Sequence, residues 1–506
     1  MDQQQIVSSE PARSLCGLIE VLQPQHVVGN DRPCVRGISH DSRLVQPGDV
    51  FVAIAGLHTD GARHVDEALA RGAVAVVSER PLELGVTCLQ VEHPRLALSA
   101  ASAWFYDYPS RRLKLAGVTG TNGKTTTCYL IKAIFDRAGA TSGLIGSVAN
   151  CIGPQRLPSH YTTPDPPELH SLLARIAAAG AERAVMEVSS HALAQDRVAS
   201  CCFDTVIFTN LTHDHLDFHK NLANYKDAKG KLFRALADES TLKIINQDDP
   251  YGRELIDGSS GPVTTYGLSV GADIRADDIE LGAGGAVFTL QAKGIRRRLT
   301  LPLIGLFNVS NALAAVAYAL NAGVDLDLIA EALAGFAGVP GRQQPIDCGQ
   351  PFSVYVDYAH TPDGLDQVLK TMRALSGGRL LTVFGCTGDR DIGKRPVMGE
   401  IAARWSDFIF ITSDDPHNEN PIEIIEEIER GVLHEGRRLG SDYLLEVDRA
   451  KAIESALCMA APGDMVLIAG KGHESVQIFK DQIVPYSDER TAREILETLM
   501  VQRSAG

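Results

Sequence analysis

Residues 113–138 constrain the fold more than any other stretch of the chain. The apolar run Leu113–Val118 breaks at Thr119-Gly-Thr-Asn-Gly-Lys-Thr, and helical periodicity then runs from Thr125 to Ala138. A strand that turns through glycines into a helix is the context a phosphate cradle requires. Gly120 and Gly123 let backbone N–H groups approach an anion, and the helix N-terminus adds partial positive charge. In that reading Lys124 reaches the β- and γ-phosphates of a nucleotide and the Thr125 hydroxyl ligates Mg²⁺. The strict spacing of the common phosphate-loop pattern asks for glycine at position 118, where Val118 stands, and Gly117 comes one residue early. The competing reading is a plain strand–turn–helix capped by a threonine.

At 506 residues the chain exceeds one ordinary core. A prior of roughly 150 residues per domain suggests about three. The expected division is 1–110, 111–340 and 341–506, all α/β. The first block holds the apolar runs Val50–Ile54, Ala73–Val77 and Thr87–Val91 and a helix pattern over His64–Arg71. Asp107–Arg112 reads as a linker. The second block repeats short apolar runs at Ala184–Val188, Thr205–Thr209 and Lys243–Asn246 with helical stretches between most of them, which predicts a parallel sheet wrapped by helices. Within it, Ile274–Ile304 alternates in polarity and predicts a β-hairpin insertion, and Asn308–Gly323 and Leu326–Phe336 read as helices. The third block has runs at Ser353–Val356, Leu380–Gly385, Phe408–Thr412 and Met465–Ala469, with helical patterns at Pro362–Leu375, Ile422–Leu433 and Arg449–Ala460. This predicts a second, Rossmann-like, doubly wound unit.

A net charge of −15 gives no basic footprint for nucleic acid, and none is expected as a partner. No run approaches the roughly 18 apolar residues a membrane span needs. Met1–Ser14 is polar, carries Asp2 and Glu10, and reads as a short frayed arm rather than a signal peptide. The ten cysteines form no CxxC pair and are most simply reduced thiols, so a cytoplasmic location is expected.

Two further stretches carry chemistry. Glu187 ends the run Ala184–Val188, where a second carboxylate for Mg²⁺ would emerge beside the loop. Asn210–His219 packs His213, His215 and His219 with Asp214 and Asp217. Zinc is one reading, but no cysteine pair accompanies the histidines. One histidine helping to hold Mg²⁺ is another, and surface histidines in a polar loop a third. The helix pattern Tyr225–Leu236 holds Lys226, Lys229 and Lys231, for which side-chain physics alone favours a solvated charged face.

Gly-Thr-Asn-Gly-Lys-Thr-Thr (120–126), Met-Glu-Val-Ser-Ser-His (186–191), His-Asp-His-Leu-Asp (213–217), Ala-Lys (228–229), Val-Asp-Tyr-Ala-His-Thr-Pro-Asp (356–363), Gly-Asp-Arg-Asp-x-Gly-Lys-Arg-Pro (388–396) and Gly-Lys-Gly-His-Glu (470–474) occur in this order. Together they resemble the Mur ligases. Asp41-Ser-Arg43 and the last motif resemble the members that add the third residue of the cell-wall peptide. The resemblance implies a UDP-binding N-terminal domain, a central ATP-binding domain and a C-terminal domain that closes with the incoming amino acid. It implies that ATP phosphorylates the γ-carboxylate of UDP-MurNAc-L-Ala-D-Glu and that an amine then attacks the acyl phosphate. A monomer is expected.

Residue roles follow from the same resemblance. Lys124, Glu187, His215 and Lys229 would be catalytic, with Thr125, Glu187, His215 and a carbamylated Lys229 as the metal set. Gly120, Thr121, Asn122, Gly123, Thr126, Asn308, Asn311, Arg342, Asp357 and His360 would lie on the ATP side. Ser39, Asp41, Ser42 and Arg43 would hold the uridine diphosphate, and Thr162, Thr163, Ser189, Gln195 and Arg197 the MurNAc-peptide.

Arg390, Asp414, Asp415, His417, Gly470 and Glu474 would bind the amino acid. Family members that add diaminopimelate usually carry Asp-Asn-Pro-Arg where this chain has Asp414-Asp415-Pro416-His417. Histidine offers no guanidinium fork. Meso-diaminopimelate is the favoured substrate and L-lysine the alternative. A folylpolyglutamate synthetase would share the phosphate loop but lack a UDP-binding block. A nucleotide-hydrolysing switch protein without ligation is the reading from another class, and an inactive paralogue is set against the intact Lys124, Thr125, Glu187, His215 and Lys229.

Overall fold

The computed structural model describes residues 12–56, 59–212, 214–292 and 294–505. The N-terminal arm up to residue 11 and His213 lie outside the described residues.

Among the described residues, three larger sheets of five, eleven and six strands organise the chain. The first runs His26–Val28, Thr87–Gln90, Ala75–Ser78, Asp49–Val52, Gly37–Ser39, parallel except at the His26–Val28 edge. Its inner strands are buried on both faces, which is why they read as short continuous apolar runs. The expected helix near His64–Arg71 divides into a 3₁₀ turn, Gly61–His64, and a helix, Val65–Ala70.

The second sheet is parallel through its centre, from Ser142–Ile145 across Arg183–Glu187, Lys114–Thr119, Thr205–Phe208 and Leu242–Asn246 to Val263–Gly267. The helices Lys124–Arg137 and Leu306–Asn321 pack together over one face, with Ile131, Ile134, Leu313 and Val316 in one core. Pro166–Ala178 covers the other face through Leu169, Leu173 and Ile176.

The expected hairpin insertion over Ile274–Ile304 is corrected. Three strands, Ile274–Gly282, Gly285–Ala292 and Ile295–Leu301, form an antiparallel meander. Ile274–Gly282 also pairs parallel with Val263–Gly267, so the meander extends the main sheet. Phe288, Leu290 and Leu299 join the core under the helix layer, and on the last strand buried Leu299 and Leu301 alternate with exposed Arg298 and Thr300, the pattern that reads as a hairpin.

The third sheet runs Gln344–Pro345, Ser353–Asp357, Met465–Ala469, Leu380–Phe384, Phe408–Thr412, Tyr443–Glu446, parallel except at its first pair. Cores of buried residues lie on both faces, one under Pro362–Leu375, Lys394–Trp405 and Pro421–His434, the other under Arg449–Met459 and the C-terminal helix Asp488–Ala505. No described helix is long and apolar enough to cross a membrane.

Arg449 ties this last layer together. Its guanidinium is fully buried, forks onto Asp488 at 2.7 and 2.8 Å, and donates to the Ala469 carbonyl at 2.8 Å. The arrangement anchors the C-terminal helix and the strand end that leads into Gly470. A buried pair is costly to break because the surviving charge is left unpaired. Asp488→Ala is therefore expected to destabilise the C-terminal unit by about 3–5 kcal/mol. The midpoint of thermal unfolding checks this, and an unmoved midpoint would show that the pair contributes nothing.

Candidate active site

The central strand Lys114–Thr119 lies between Arg183–Glu187 and Thr205–Phe208, with Val118 opposite Glu187 and Thr119 opposite Phe208. All three strands run the same way, so the segments that follow them emerge at one sheet edge, where open α/β sheets bind ligands. Those segments are the loop 120–123, Glu187 with Val188 and Ser189, and the stretch 209–212 with Asp214 and His215 beyond it.

The loop is built for close approach. Thr209 Oγ donates to the Asn122 carbonyl at 2.6 Å, and the Asn122 N–H donates to Asn210 Oδ1 at 2.9 Å. Gly120 and Gly123 both have positive φ. A Cβ at Gly120 would lie 1.8 Å from Thr209 Oγ, and one at Gly123 would lie 2.2 Å from Asn311 Oδ1. Lys124 Nζ folds back onto the carbonyls of Gly120 and Thr121 at 2.9 and 2.8 Å.

Glu187 is 1% exposed. Its carboxylate accepts from Thr125 Oγ at 2.9 Å, from the Ser147 N–H at 2.8 Å and from Ser147 Oγ at 3.2 Å. Gly146 makes room, since a Cβ there would lie 2.3 Å from Glu187 Oε1. Ser147 was missed in the sequence, although Gly146-Ser147 directly after the apolar run ending at Ile145 is the signal that could have found it.

Lys124, Thr125, Glu187 and His215 line one cavity of about 500 Å³ together with Thr121, Asn122, Gly123, Thr126, Thr162, Asn308, Asn311, Arg342, Asp357 and His360. Its volume suits a nucleotide-sized ligand. Asn308 donates to Gln343 Oε1 and Asn311 to Asn308 Oδ1, at 2.9 and 3.1 Å. Arg342 stacks on the Tyr358 ring and donates to Thr125 Oγ at 3.4 Å. Asp357 accepts from the N–H groups of Gln343 and Ala359, and burial raises its pKa against the pull of Arg342. Burial and the neighbouring Lys394 lower the pKa of His360 to about 4, so its ring is neutral near pH 7. Asn122 Nδ2 donates to Asp363 Oδ2 at 2.7 Å, so the third sheet's first helix touches the loop directly.

His215 is half-buried at φ 53°, with Nε2 3.3 Å from Asp214, and desolvation pulls its pKa down to about 3 despite that carboxylate. A neutral imidazole can ligate a metal. Of the lysines expected on a solvated face, Lys229 is the exception: it is 1% exposed and donates to the Gly120 carbonyl at 2.7 Å. Lys226 pairs with Glu254, and Lys231 donates to Asp196 at 3.4 Å. The helix Leu222–Arg234 turns Lys229 toward the loop because Tyr225, Ala228, Leu232 and Phe233 form its buried stripe. Burial, and the charge of Lys124 after it, hold the Lys229 amine well below the ordinary lysine range.

A second cavity of about 630 Å³ lies between the first sheet and the helix Pro166–Ala178. Asp41, Ser42, Arg43, Gln195 and Arg197 line it, joined by His40, His64 and Arg95, which the sequence reading had not singled out. Asp41 is forked by the Arg43 guanidinium at 2.9 and 2.6 Å, and Ser42 donates to Glu67 at 2.7 Å. Ser39 sits behind the wall and donates to the Asp41 carbonyl. Arg197 pairs with Asp165 at 3.0 Å and donates to Gln195 and the Thr163 carbonyl. Thr163 Oγ in turn accepts from the Ser189 N–H and donates to the Glu187 carbonyl, so this chain of contacts leads from the second cavity to the first. Asp414, Asp415 and His417 follow the strand Phe408–Thr412, and Gly470 and Glu474 follow Met465–Ala469. Arg390 is exposed on the loop after Leu380–Phe384.

The sequence matches three families in order: the catalytic domain of the Mur ligase family over residues 35–118, the Mur ligase middle domain over 118–319, and the Mur ligase glutamate ligase domain over 341–472. The chain belongs to the Mur ligase family. It is 44% identical over 485 residues to the UDP-N-acetylmuramoyl-L-alanyl-D-glutamate–2,6-diaminopimelate ligase of Syntrophomonas wolfei, covering 95% of this chain and 99% of that one. It is 41% identical over 483 residues to the ligase of the same name from Caldanaerobacter subterraneus, covering 95% and 98%. Among solved structures it resembles a UDP-N-acetylmuramoyl-L-alanyl-D-glutamate–2,6-diaminopimelate ligase at TM-score 0.68 and 32% identity, over 97% of this chain and 100% of that one. This Mur ligase has the three-domain α/β architecture of its family.

Because Gly123 combines positive φ with a 2.2 Å approach to Asn311, Gly123→Ala is expected to weaken ATP binding by about 1–3 kcal/mol. Calorimetric titration with a non-hydrolysable ATP analogue checks this. Wild-type affinity in the variant would remove the cradle assignment.

Proposed function

We infer that the chain joins 2,6-diaminopimelate to UDP-N-acetylmuramoyl-L-alanyl-D-glutamate at the expense of ATP, releasing ADP and phosphate, in peptidoglycan synthesis. The relatives that match it almost end to end bear that name. The observation that carries the site is the gathering of Lys124, Thr125, Glu187, His215 and Arg342 around one cavity.

The chemical problem is electrostatic. A carboxylate must attack the γ-phosphorus of a triphosphate, and both partners are anions. Lys124, released from its own loop carbonyls, and Arg342 supply fixed positive charge to the transferring group. The backbone N–H groups at the helix start, Gly123–Thr125, would cradle the phosphate oxygens, since those of Thr121 and Asn122 are donated to Asn210. The residues fit Mg²⁺: Thr125 and Glu187 present hard oxygen donors 2.9 Å apart, and neutral His215 lines the same cavity. Bound there, the ion would neutralise phosphate charge. Lys229 as a carbamate would complete the oxygen set, and its depressed pKa supports this because only the free amine reacts with carbon dioxide.

The UDP end would occupy the second cavity, with Arg43 and Arg197 as its cations, and the peptide would run along Thr163 and Ser189 toward Glu187. Phosphoryl transfer forms a carbonyl–O–P bond and frees ADP. The amine nitrogen then bonds to the carbonyl carbon, phosphate leaves, and the amine loses a proton. Third-domain residues Asp357, His360 and Asp363 on the ATP cavity support closure against water, which would hydrolyse the acyl phosphate. A monomer suffices, since this one chain lines both cavities, and ten free thiols suit a reducing cytoplasm.

Purified protein given the UDP-MurNAc-dipeptide, ATP, Mg²⁺ and a panel of diamino acids is expected to yield a product heavier by one diaminopimelate residue, with ADP released faster than with L-lysine. The reverse order would exchange the substrate, and ADP release independent of both substrates would remove ligation altogether. Lys229→Ala is expected to abolish turnover, with partial recovery on adding bicarbonate. Full turnover in that variant would remove the carbamate.

A further inference from the structure

We propose that Lys471 is a specificity-determining residue: its buried ammonium occupies the centre of the Asp414–Asp415–Glu474 cluster, which the ligase reading places at the amino-acid end of the site, and biases selection toward a substrate whose distal end carries a carboxylate as well as an ammonium. The inference rests on the ligase reading above and deepens it.

The Lys471 side chain has no solvent exposure. Its Nζ lies 2.8 Å from Asp415 Oδ1, 2.8 Å from Glu474 Oε2 and 3.6 Å from Asp414 Oδ1. Burial pulls its pKa down, but Asp414, Glu474 and Asp415 outweigh burial and carry it up to about 12, so it is charged at any physiological pH. Asp415 Oδ1 also accepts from the Ile478 N–H at 2.9 Å, and the Ile478 carbonyl accepts from the His417 N–H at 3.2 Å. Gln477 Nε2 donates to the Asp414 carbonyl at 2.7 Å. The segments carrying Asp414–His417 and Gly470–Ile478 are thus laced together around one ammonium. A Cβ at Gly470 would lie 2.6 Å from Asp414 Oδ2, so that glycine allows the segments to close.

Three clustered carboxylates with no internal cation would attract a lone ammonium such as the far end of L-lysine. Here that position is filled by the chain itself. The neighbouring cation Arg449 is engaged by Asp488, which leaves Lys471 as the ammonium inside the cluster. An incoming distal ammonium finds two of the three carboxylates already engaged, whereas a distal carboxylate meets less repulsion than a bare acidic cluster would exert. This matters where His417 stands, because an imidazole there lacks the guanidinium fork that would hold a carboxylate directly. Lys471 touches no solvent and acts through Asp415 and Glu474.

The test compares kcat/KM for meso-diaminopimelate and for L-lysine in the wild type, in Lys471→Gln and in Glu474→Gln, with the KM for ATP followed in parallel. Lys471→Gln removes the cation and keeps hydrogen-bonding capacity. It is expected to lower the diaminopimelate-to-lysine ratio by about tenfold or more while the KM for ATP stays within about twofold. Glu474→Gln removes one negative charge and is expected to raise the ratio. Equal losses for both amino acids in Lys471→Gln would mean that the lysine only supports the fold, and would overturn the proposal. If Lys471→Gln shows no cooperative melt, Glu474→Gln, on a side chain about one-third exposed, decides: an unchanged or lowered ratio overturns it. A wild-type enzyme that forms amide with neither amino acid would instead overturn the ligase reading itself.

Discussion

A carboxylate sealed from solvent governs the centre of this molecule. Glu187 is buried beside the glycine loop 120–123, and burying an unpartnered carboxylate is expensive. Three donors, from Thr125 and Ser147, satisfy it. Each comes from a different strand end than Glu187's own, so the carboxylate can exist only if three parallel strands stop at the same edge. The same requirement explains Gly146, where any side chain would displace Glu187.

Positive charge is distributed around that carboxylate with restraint. Lys124 and Lys229 both donate to the Gly120 carbonyl, at 2.9 and 2.7 Å. Two full ammonium charges on one carbonyl would repel; burial lowers the pKa of both amines, and Lys229, pushed further by the charge of Lys124, is held well below the ordinary lysine range. The neutral imidazoles of His215 and His360 in the same cavity follow the same logic, since desolvation dominates each. The cavity is therefore lined by a few cations and several neutral polar groups.

The third sheet contributes more than a cover. Asp363 reaches Asn122 in the loop, Arg342 reaches Thr125, and His473 lies 3.2 Å from the Ser147 carbonyl, whose N–H and hydroxyl hold Glu187. Residues hundreds of positions apart thus meet around the phosphate loop. The Gly470–Glu474 segment serves two ends: His473 docks on the central domain, while Lys471 and Glu474 organise the acidic cluster.

The sequence by itself determined whatever depends on neighbours along the chain. The strand Lys114–Thr119, the glycine turn and the helix Lys124–Arg137 were legible because their hydrogen bonds and glycine requirements are local. The doubly buried strands were legible as apolar runs, and the ordered motifs named the family. Tertiary structure decided which faces turned inward. Three lysines on the helix Leu222–Arg234 look alike in sequence, and only packing against Gly120 buried Lys229 and left Lys226 and Lys231 to surface partners. The meander Ile274–Leu301 alternates like a free hairpin, and only its pairing with Val263–Gly267 joined it to the main sheet. Ser147 and Lys471 were passed over because their roles come from the carboxylates of Glu187 and Asp415, 40 and 56 residues away, brought close by strand order, which no local spacing encodes.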